Sequence, residues 1–451
     1  MCGDIIVVFR RKIYDKLSEW KEEHNGKYAI MIEGARRVGK TTVVKQFVKD
    51  MYRSSIIIDF SKADEQTKDL FRNHMNNLDM FFLHLQRIYD TVLYDRESAV
   101  VFDEVQFFPL ARQAVKHLVA DGRYDYIETG SLISIKENVQ DILIPSEEMS
   151  VSMHPMDFEE FLRAQNDEVT VPMLRKAFRD RTPLGPAHRH YMNKYNIYML
   201  VGGMPQAVEA YLEKKNFEAV ESVKRSILKL YSDDASKIRS DHGSKSKRIL
   251  SMIPSFLSKH EKTFSPSQLR KGSKTREYFD SVVWLGESKM VNLCYRNSDP
   301  SPALDLSLDE YTFKIYMLDT GLLVTASFVS NTGRPDDIYT GILNNKMGIN
   351  KGMFFENMIA QELVSSGHRL IFSRFESKDS DRTQEVDFVI ADGGKVIPVE
   401  SKSGVSNRHA SLDRFMGKYS KHTDLGYVVH TKDLRVDGKI VYIPVYLAMF
   451  L

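Results

Sequence analysis

A chain of 451 residues with 42% hydrophobic and 27% charged content is too long for one core and too rich in apolar side chains to be disordered, so two or three globular domains are expected. The formal net charge of +2 argues against a general polyanion binder, yet Ser236–Arg276 carries eleven Lys/Arg against two Asp/Glu, a local +9 that leaves the rest near −7. Two cysteines, Cys2 and Cys294, exclude a disulfide framework and a thiolate zinc site, and no apolar run reaches the roughly 18 residues of a membrane span, so the chain reads as cytoplasmic.

In chain order, the start MCGDIIVVFRRK places its basic residues after a short apolar run, the reverse of a secretory signal, and lacks the glycine that myristoylation needs directly after Met. The first 210 residues then alternate short apolar runs with helical patterns, which predicts an α/β domain with a parallel sheet. Strands are expected at YAIMI (Tyr28–Ile32), SSIIIDF (Ser54–Phe60), SAVVF (Ser98–Phe102) and YDYIETG (Tyr124–Gly130). Val43, Val44, Phe47 and Val48 repeat at helical spacing after the first, and Ser150–Ala164 reads as a fifth strand leading into a helix. From about Leu212 to Leu250 the pattern is helical and basic, with SDDASKIRSDHGSKSKR as an exposed hinge. Residues 248–297 read helix, short helix, longer helix and the strand-like MVNLCYR, the order of a winged-helix module. DPSPALDLSLDE reads as a loop. After Asn350 a new α/β pattern opens with the helix GMFFENMIAQELVSSG and continues through RLIFSRF, EVDFVIADGG, VIPVESKSG, DLGYVVHT and KIVYIPVYLAMFL. The expected domains are 1–211, 212–340 and 341–451.

Gly34–Thr41, GARRVGKT, fits G-x-x-x-x-G-K-[ST] between a strand and a helix. In that setting the backbone N–H groups of Gly34, Ala35, Arg36, Arg37, Val38 and Gly39 wrap phosphates, Lys40 reaches the β/γ oxygens, Thr41 ligates Mg²⁺ and Thr42 continues the cradle. Asp103 and Glu104 end an apolar strand; an Asp there holds Mg²⁺ and the adjacent Glu orients or deprotonates the attacking water. IETGSL ends the fourth strand with Thr129 and Ser131, of which Ser131 serves equally as a γ-phosphate sensor or as a plain helix cap. Arg36 and Arg37 suit phosphate, a neighbouring subunit or solvent.

On RRKIYDKLSEW, GARRVGKTT, VVFDEVQ, ETGS, MHPMDFEEFL and VGGMPQAV, residues 10–210 resemble the prokaryotic AAA-type (STAND-like) ATPase domain. The resemblance implies ATP and Mg²⁺ as cofactors, ATP hydrolysis with Glu104 as catalytic glutamate, and closure of the domain near the nucleotide by Gly202, Gly203 and Pro205. AAA-type sites often borrow an arginine from a neighbouring copy, so a homo-oligomer agrees with the resemblance, but spacing assigns no arginine to that role. On IPSFLSKHEKTF, REYFDSVVWL, FKIYMLDTGLL, GMFFENMIAQEL, EVDFVI and VESKSG, the second half resembles the region that accompanies this ATPase, a winged-helix-like segment followed by a restriction-endonuclease-like fold of the PD-(D/E)xK type.

In that pattern Asp387 and Glu400 hold Mg²⁺, Lys402 positions the attacking water, and Glu356 adds an acidic helix residue. From the residues alone, alternation puts Glu400 and Lys402 on one strand face, and a cross-strand ion pair explains the trio as well as a metal does. Two readings therefore stand. In one, nucleotide state is coupled to DNA binding or metal-dependent DNA cleavage. In the other, the nuclease-like domain is a non-catalytic DNA- or protein-binding module of an NTPase switch. DNA is the expected partner of the basic 236–276 segment, through Arg270, Lys271, Lys274 and Arg276. Trp284 suits a core position better than a base-stacking one.

Overall fold

The computed structural model describes residues 9–24, 26–130, 146–236, 242–344, 346, 351–377, 380–404 and 409–451. By its internal contacts the chain divides into two compact units, Met1–His154 and Pro155–Leu451.

In the first unit, β1 (Ala29–Glu33), β2 (Ser54–Asp59), β3 (Ser98–Asp103), β4 (Asp125–Gly130) and β5 (Glu148–Ser152) form a parallel sheet of order β2-β3-β4-β1-β5. Helices α1 (Lys12–His24), α2 (Lys40–Met51), α3 (Glu65–Asn73), α4 (Leu78–Ile88) and α5 (Pro109–Asp121) accompany it. A parallel sheet covered on both faces needs apolar side chains on both, which is why AIMIE and SAVVFD are buried throughout rather than alternating. Helix α2 buries Val43, Val44, Phe47 and Val48, the residues that its periodicity picks out. Phe60, Phe71, Phe102 and Phe108 meet with ring centroids 5.4–5.9 Å apart, tying the segment that follows β3 back onto the sheet. The strand order sets the C-terminal ends of β3, β4 and β1 side by side, the place where open α/β sheets bind ligands.

The second unit begins with α6 (Phe158–Ala164), α7 (Thr170–Asp180), α8 (Ala187–Val201), α9 (Pro205–Lys214), α10 (Phe217–Ser236) and α11 (His242–Leu257). After α12 (Phe279–Glu287) come β6 (Val291–Asn297), β7 (Leu308–Met317), α13 (Thr320–Ser327), α14 (Pro335–Leu343) and α15 (Gly352–Ser365). The stretch expected as a loop, Asp299–Glu310, gives Leu308 onward to β7. Strands β8 (Ile371–Ser377) and β9 (Ser380–Val386) complete a sheet of order β7-β6-β8-β9. A second sheet, β10-β11-β12-β14-β13, holds β10 (Phe388–Asp392), β11 (Lys395–Lys402), β12 (Gly426–His430), β13 (Arg435–Asp437) and β14 (Ile440–Pro444), with α16 (Ala410–Lys418) between β11 and β12 in sequence. The expected hairpin is present: Asp392 opposes Lys395 across a two-residue turn, and Gly393 takes φ 56°.

Close packing is concentrated at Gly202, Gly203 and Gly321. A Cβ on Gly203 would lie 2.0 Å from the Met156 carbonyl oxygen, and one on Gly321 2.6 Å from the Gly202 Cα. Asp319 caps α13 by accepting from Leu322 N–H at 2.8 Å and also accepts from Gly203 N–H at 2.5 Å. The fully buried Lys224 beside them donates to the Leu200 and Gly321 carbonyls at 2.5 and 3.2 Å and to Tyr339 Oη at 2.9 Å. Burial lowers its pKa to about 8, against the charges of Glu221 and Asp319.

Two measurements test this packing. Gly321→Ala forces backbone against backbone and is expected to cost about 1–3 kcal/mol or more in urea unfolding. Because the folded pKa of Lys224 is below its unfolded value, the unfolded chain binds more protons between about pH 8 and 10.5, so stability gains from deprotonation over that window. The stability difference between wild type and Lys224→Met is expected to grow over the same window, by at most about 1.4 kcal/mol per pH unit.

Candidate functional site

The phosphate-type loop runs from the end of β1 into α2. Gly39 takes φ 100°, and Arg37 takes φ 69°, so the loop turns through left-handed backbone that is strained for any residue but glycine. A Cβ on Gly34 would sit 2.4 Å from the Met153 carbonyl oxygen, which leaves no room there for a side chain. Ala35 and Val38 face inward, whereas Arg36 and Arg37 are exposed. Arg11 ties the loop down, donating to the Val38 carbonyl at 2.8 Å and to the His154 carbonyl at 2.7 Å. The sequence alone did not point to that role; the only signal was a basic residue directly ahead of an amphipathic helix.

Lys40 is buried and donates to the carbonyls of Gly34 (2.8 Å) and Ala35 (3.1 Å). Burial lowers its pKa, against the charges of Glu104 and Asp103. Both partners are neutral, so its charge remains available to an anion at the loop. Thr41 Oγ1 lies 2.8 and 3.1 Å from the two carboxylate oxygens of Asp103. Thr129, fully buried at the end of β4, donates to Asp103 at 2.5 Å and accepts from the Glu104 N–H at 3.2 Å. Glu104 holds φ 53°, an uncommon conformation for a non-glycine residue, and its carboxylate accepts from Gln106 Nε2. A hydroxyl beside a carboxylate is an oxygen donor set that fits Mg²⁺. Thr42 is partly buried in the first turn of α2, and Ser131 lies outside the described residues.

The C-terminal quartet is brought to one place in the second unit. Asp387 sits where β9 of one sheet passes into β10 of the other, and accepts from the Ser401 N–H at 2.8 Å. Glu400 and Lys402 share a face of β11, as alternation requires, with Nζ 2.7 Å from Oε1. Glu356, on α15, accepts from Tyr316 Oη at 2.6 Å and from Lys262. Among these carboxylates lies Lys314 of β7, whose side chain is 0% exposed. Its Nζ is 2.8 Å from Glu385, 3.7 Å from Glu356 and 3.9 Å from Asp387. Arg374 pairs with Glu385 at 2.6 Å and with Glu261 at 2.6 Å.

Burial raises the Asp387 pKa to about 7, helped by the charges of Glu356 and Glu400. Burial also raises that of Glu400, against Lys402, whereas Lys314 and Lys262 outweigh burial and hold Glu356 low. Among the described residues no group of three or more His, Cys, Asp or Glu side chains is arranged to hold a metal ion. A divalent ion at this cluster would have to share its oxygens with the Lys314 ammonium, so the carboxylates as arranged do not fit a resident metal. Lys314, Lys262, Tyr316 and Glu385 were not picked out from the sequence. The available signal was a lysine inside TFKIYM, an apolar run whose Phe313, Ile315 and Tyr316 are all buried.

The remaining sequence candidates lie elsewhere. Arg270, Lys271, Lys274 and Arg276 are all exposed, ahead of α12; residues 237–241 of the basic segment lie outside the described ones. Helix α12 itself carries Asp280 and Glu287 and no Lys or Arg, the connection from β6 to β7 carries Asp299 and Asp305, and the start of β7 carries Asp309 and Glu310. Trp284 is partly buried. Gly202 and Gly203 pack on Met156 and Asp319 within the second unit, and Pro205 opens α9.

Residues 26–162 match a family described as an AAA domain, and residues 192–333 and 351–448 match two families described as domains of unknown function. No curated protein matches the chain. Among solved structures, the Walker-type ATPase PABY2304 of Pyrococcus abyssi is 15% identical, with 71% of this chain and 96% of that one covered at a TM-score of 0.42. Cdc6p from Pyrobaculum aerophilum is 11% identical over 76% and 97% of the two chains, with a TM-score of 0.27. A chain of the Drosophila ORC bound to DNA is 13% identical over 71% and 96%, also at 0.27. Residues 26–162 thus match an AAA domain where the loop and the strand order are those of a P-loop nucleotide-binding sheet.

Proposed function

We propose that the chain binds ATP with Mg²⁺ and hydrolyses it, and that nucleotide state governs a second unit that binds its target rather than cutting it. The observation that carries the first part is the hydrogen-bonded series Thr41–Asp103–Thr129–Glu104 beside Lys40. In this reading the loop amides and Lys40 bind the phosphates, with Lys40 exchanging its two carbonyl partners for phosphate oxygens. Thr41 and Asp103 hold Mg²⁺, which when bound neutralises charge on the phosphate oxygens. Thr129 fixes the carboxylate of Asp103 and the backbone of Glu104, and Glu104 orients and deprotonates the attacking water. The three successive family matches, 26–162, 192–333 and 351–448, support a three-part reading close to 1–211, 212–340 and 341–451.

A specific observation favours binding over cleavage in the second unit. The catalytic and metal-holding roles that the resemblance implies for Glu356, Asp387, Glu400 and Lys402 require carboxylates open to a metal, and these are engaged by Lys314, Lys262, Tyr316 and Lys402. DNA is the partner that four exposed cations within Arg270–Arg276 suit best. With acidic residues on α12 and on the β6–β7 connection, contact is expected at phosphates and without base readout. The order helix, short helix, longer helix, two strands supports a winged-helix-like segment here, with Phe264 N–H donating to the Phe313 carbonyl at 2.8 Å as a rudimentary third strand.

Lys40→Ala is expected to abolish ATP binding measured with a fluorescent nucleotide. Glu104→Gln should keep binding and lower turnover by about 10²–10⁴-fold; full turnover in Glu104→Gln would remove the glutamate from its role. Replacing Arg270, Lys271, Lys274 and Arg276 together by Gln should weaken binding of a random duplex and shrink the slope of log K against log [salt] by about 1 for each phosphate that is no longer neutralised. An unchanged slope would place DNA, if bound, elsewhere.

A further inference from the structure

Charge in the second unit's carboxylate cluster is met from within the chain. Glu356, Glu385, Asp387 and Glu400 face Lys262, Lys314, Arg374 and Lys402, four carboxylates against four cations, with the more exposed Glu261 sharing Arg374. The donors do not come from the hairpin alone. Lys314 arrives on β7 and Lys262 from the segment after α11, so the two cations that meet Glu356 are contributed by the middle of the chain.

We infer that Lys314 is a resident internal cation that takes the place of a divalent metal in this cluster. Three features carry it. Lys314 is fully buried: its side chain is 0% exposed and its Nζ lies 4.9 Å from the Phe372 ring centroid. A buried ammonium deprived of carboxylates loses its compensation, so it does not leave them for water without disrupting β7. Glu356 already takes a hydroxyl and an ammonium, Asp387 a backbone N–H, and Glu400 its own Lys402, so the oxygens that the nuclease pattern reserves for a metal are largely spent. A divalent ion would add two charges beside the four cations already there. Two buried atoms of the cluster make no hydrogen bond, Glu400 Oε2 and Lys314 Nζ, so Lys314 is held by charge alone, 2.8 Å from Glu385, and Glu400 Oε2 is the oxygen at which a metal would compete.

This inference rests on the reading that the second unit binds rather than cuts, and its test reads metal directly, so its outcome is separate from ATP turnover and DNA affinity. The full chain carrying Asp103→Asn, which removes a carboxylate of the P-loop site, is titrated with Mn²⁺ without nucleotide and followed by electron paramagnetic resonance. Melting is compared in Mn²⁺ and in EDTA. No saturable Mn²⁺ signal and no difference in Tm are expected. A saturable site that Glu400→Gln abolishes would overturn the proposal. Lys314→Met in the same background is expected to melt lower in EDTA and to gain a few degrees in Mn²⁺, because the cluster then recruits an external cation. A folded Lys314→Met indifferent to Mn²⁺ would overturn the role given to Lys314. If that variant stays unfolded in every buffer, the titration of Asp103→Asn alone decides.

Discussion

The second unit depends on one demand: polar groups carried into its centre on α15 must each find a partner there. Met353 to Leu363 are all buried, and the helix brings Glu356, Asn357, Gln361 and Glu362 inside with them. Asn357 accepts from the Met317 N–H and donates to the Met317 carbonyl, fastening the end of β7. Gln361 accepts from Thr320 N–H and donates to Tyr198 Oη, and Glu362 accepts from Phe158 N–H. Each is a buried group whose partner would otherwise be left unsatisfied, at about 1–3 kcal/mol apiece. Stretches as far apart in sequence as MDFEEFL, NIYML and DTGLL therefore converge on one helix.

The two lysine-centred sites show how partner type decides what a buried charge can do. Lys40 is satisfied by two carbonyls, which are neutral and held by the loop itself, so an incoming phosphate competes only with hydrogen bonds. Lys314 lies among three carboxylates, Glu385 on its own sheet, Asp387 just beyond that sheet's last strand and Glu356 on α15, so its displacement would separate opposite charges in a buried setting. The first arrangement is suited to exchange and the second to permanence. Both carry carboxylates nearby, and a count of acidic residues would not tell them apart.

Much of the first site was legible in the sequence because its chemistry is local. The loop from Gly34 to Thr41 is contiguous, and Asp103 and Thr129 each close an apolar run, so a parallel sheet of any order consistent with those strands brings their ends toward one edge. The setting of Glu104 and the anchoring by Arg11 were not legible, since the hydroxyl that receives the Glu104 N–H lies 25 residues away and the carbonyl that holds Arg11 lies 27 away. In the second site, Glu356, Asp387, Glu400 and Lys402 do meet, but the sequence pattern contains no word about Lys314 or Lys262. Their separation from Glu356 along the chain is 42 and 94 residues, and only the joining of β7 to α15 makes them neighbours.

By itself the sequence determined the α/β class, the strands of the first sheet, the phosphate loop and the hairpin that carries Asp387, Glu400 and Lys402, because periodicity and turn chemistry act over a few residues at a time. Only the tertiary structure decided what those carboxylates face. Whether an acidic group is open to a metal or closed by an ammonium depends on charges that approach through space, and the range of Coulomb attraction in a buried setting ignores distance along the chain.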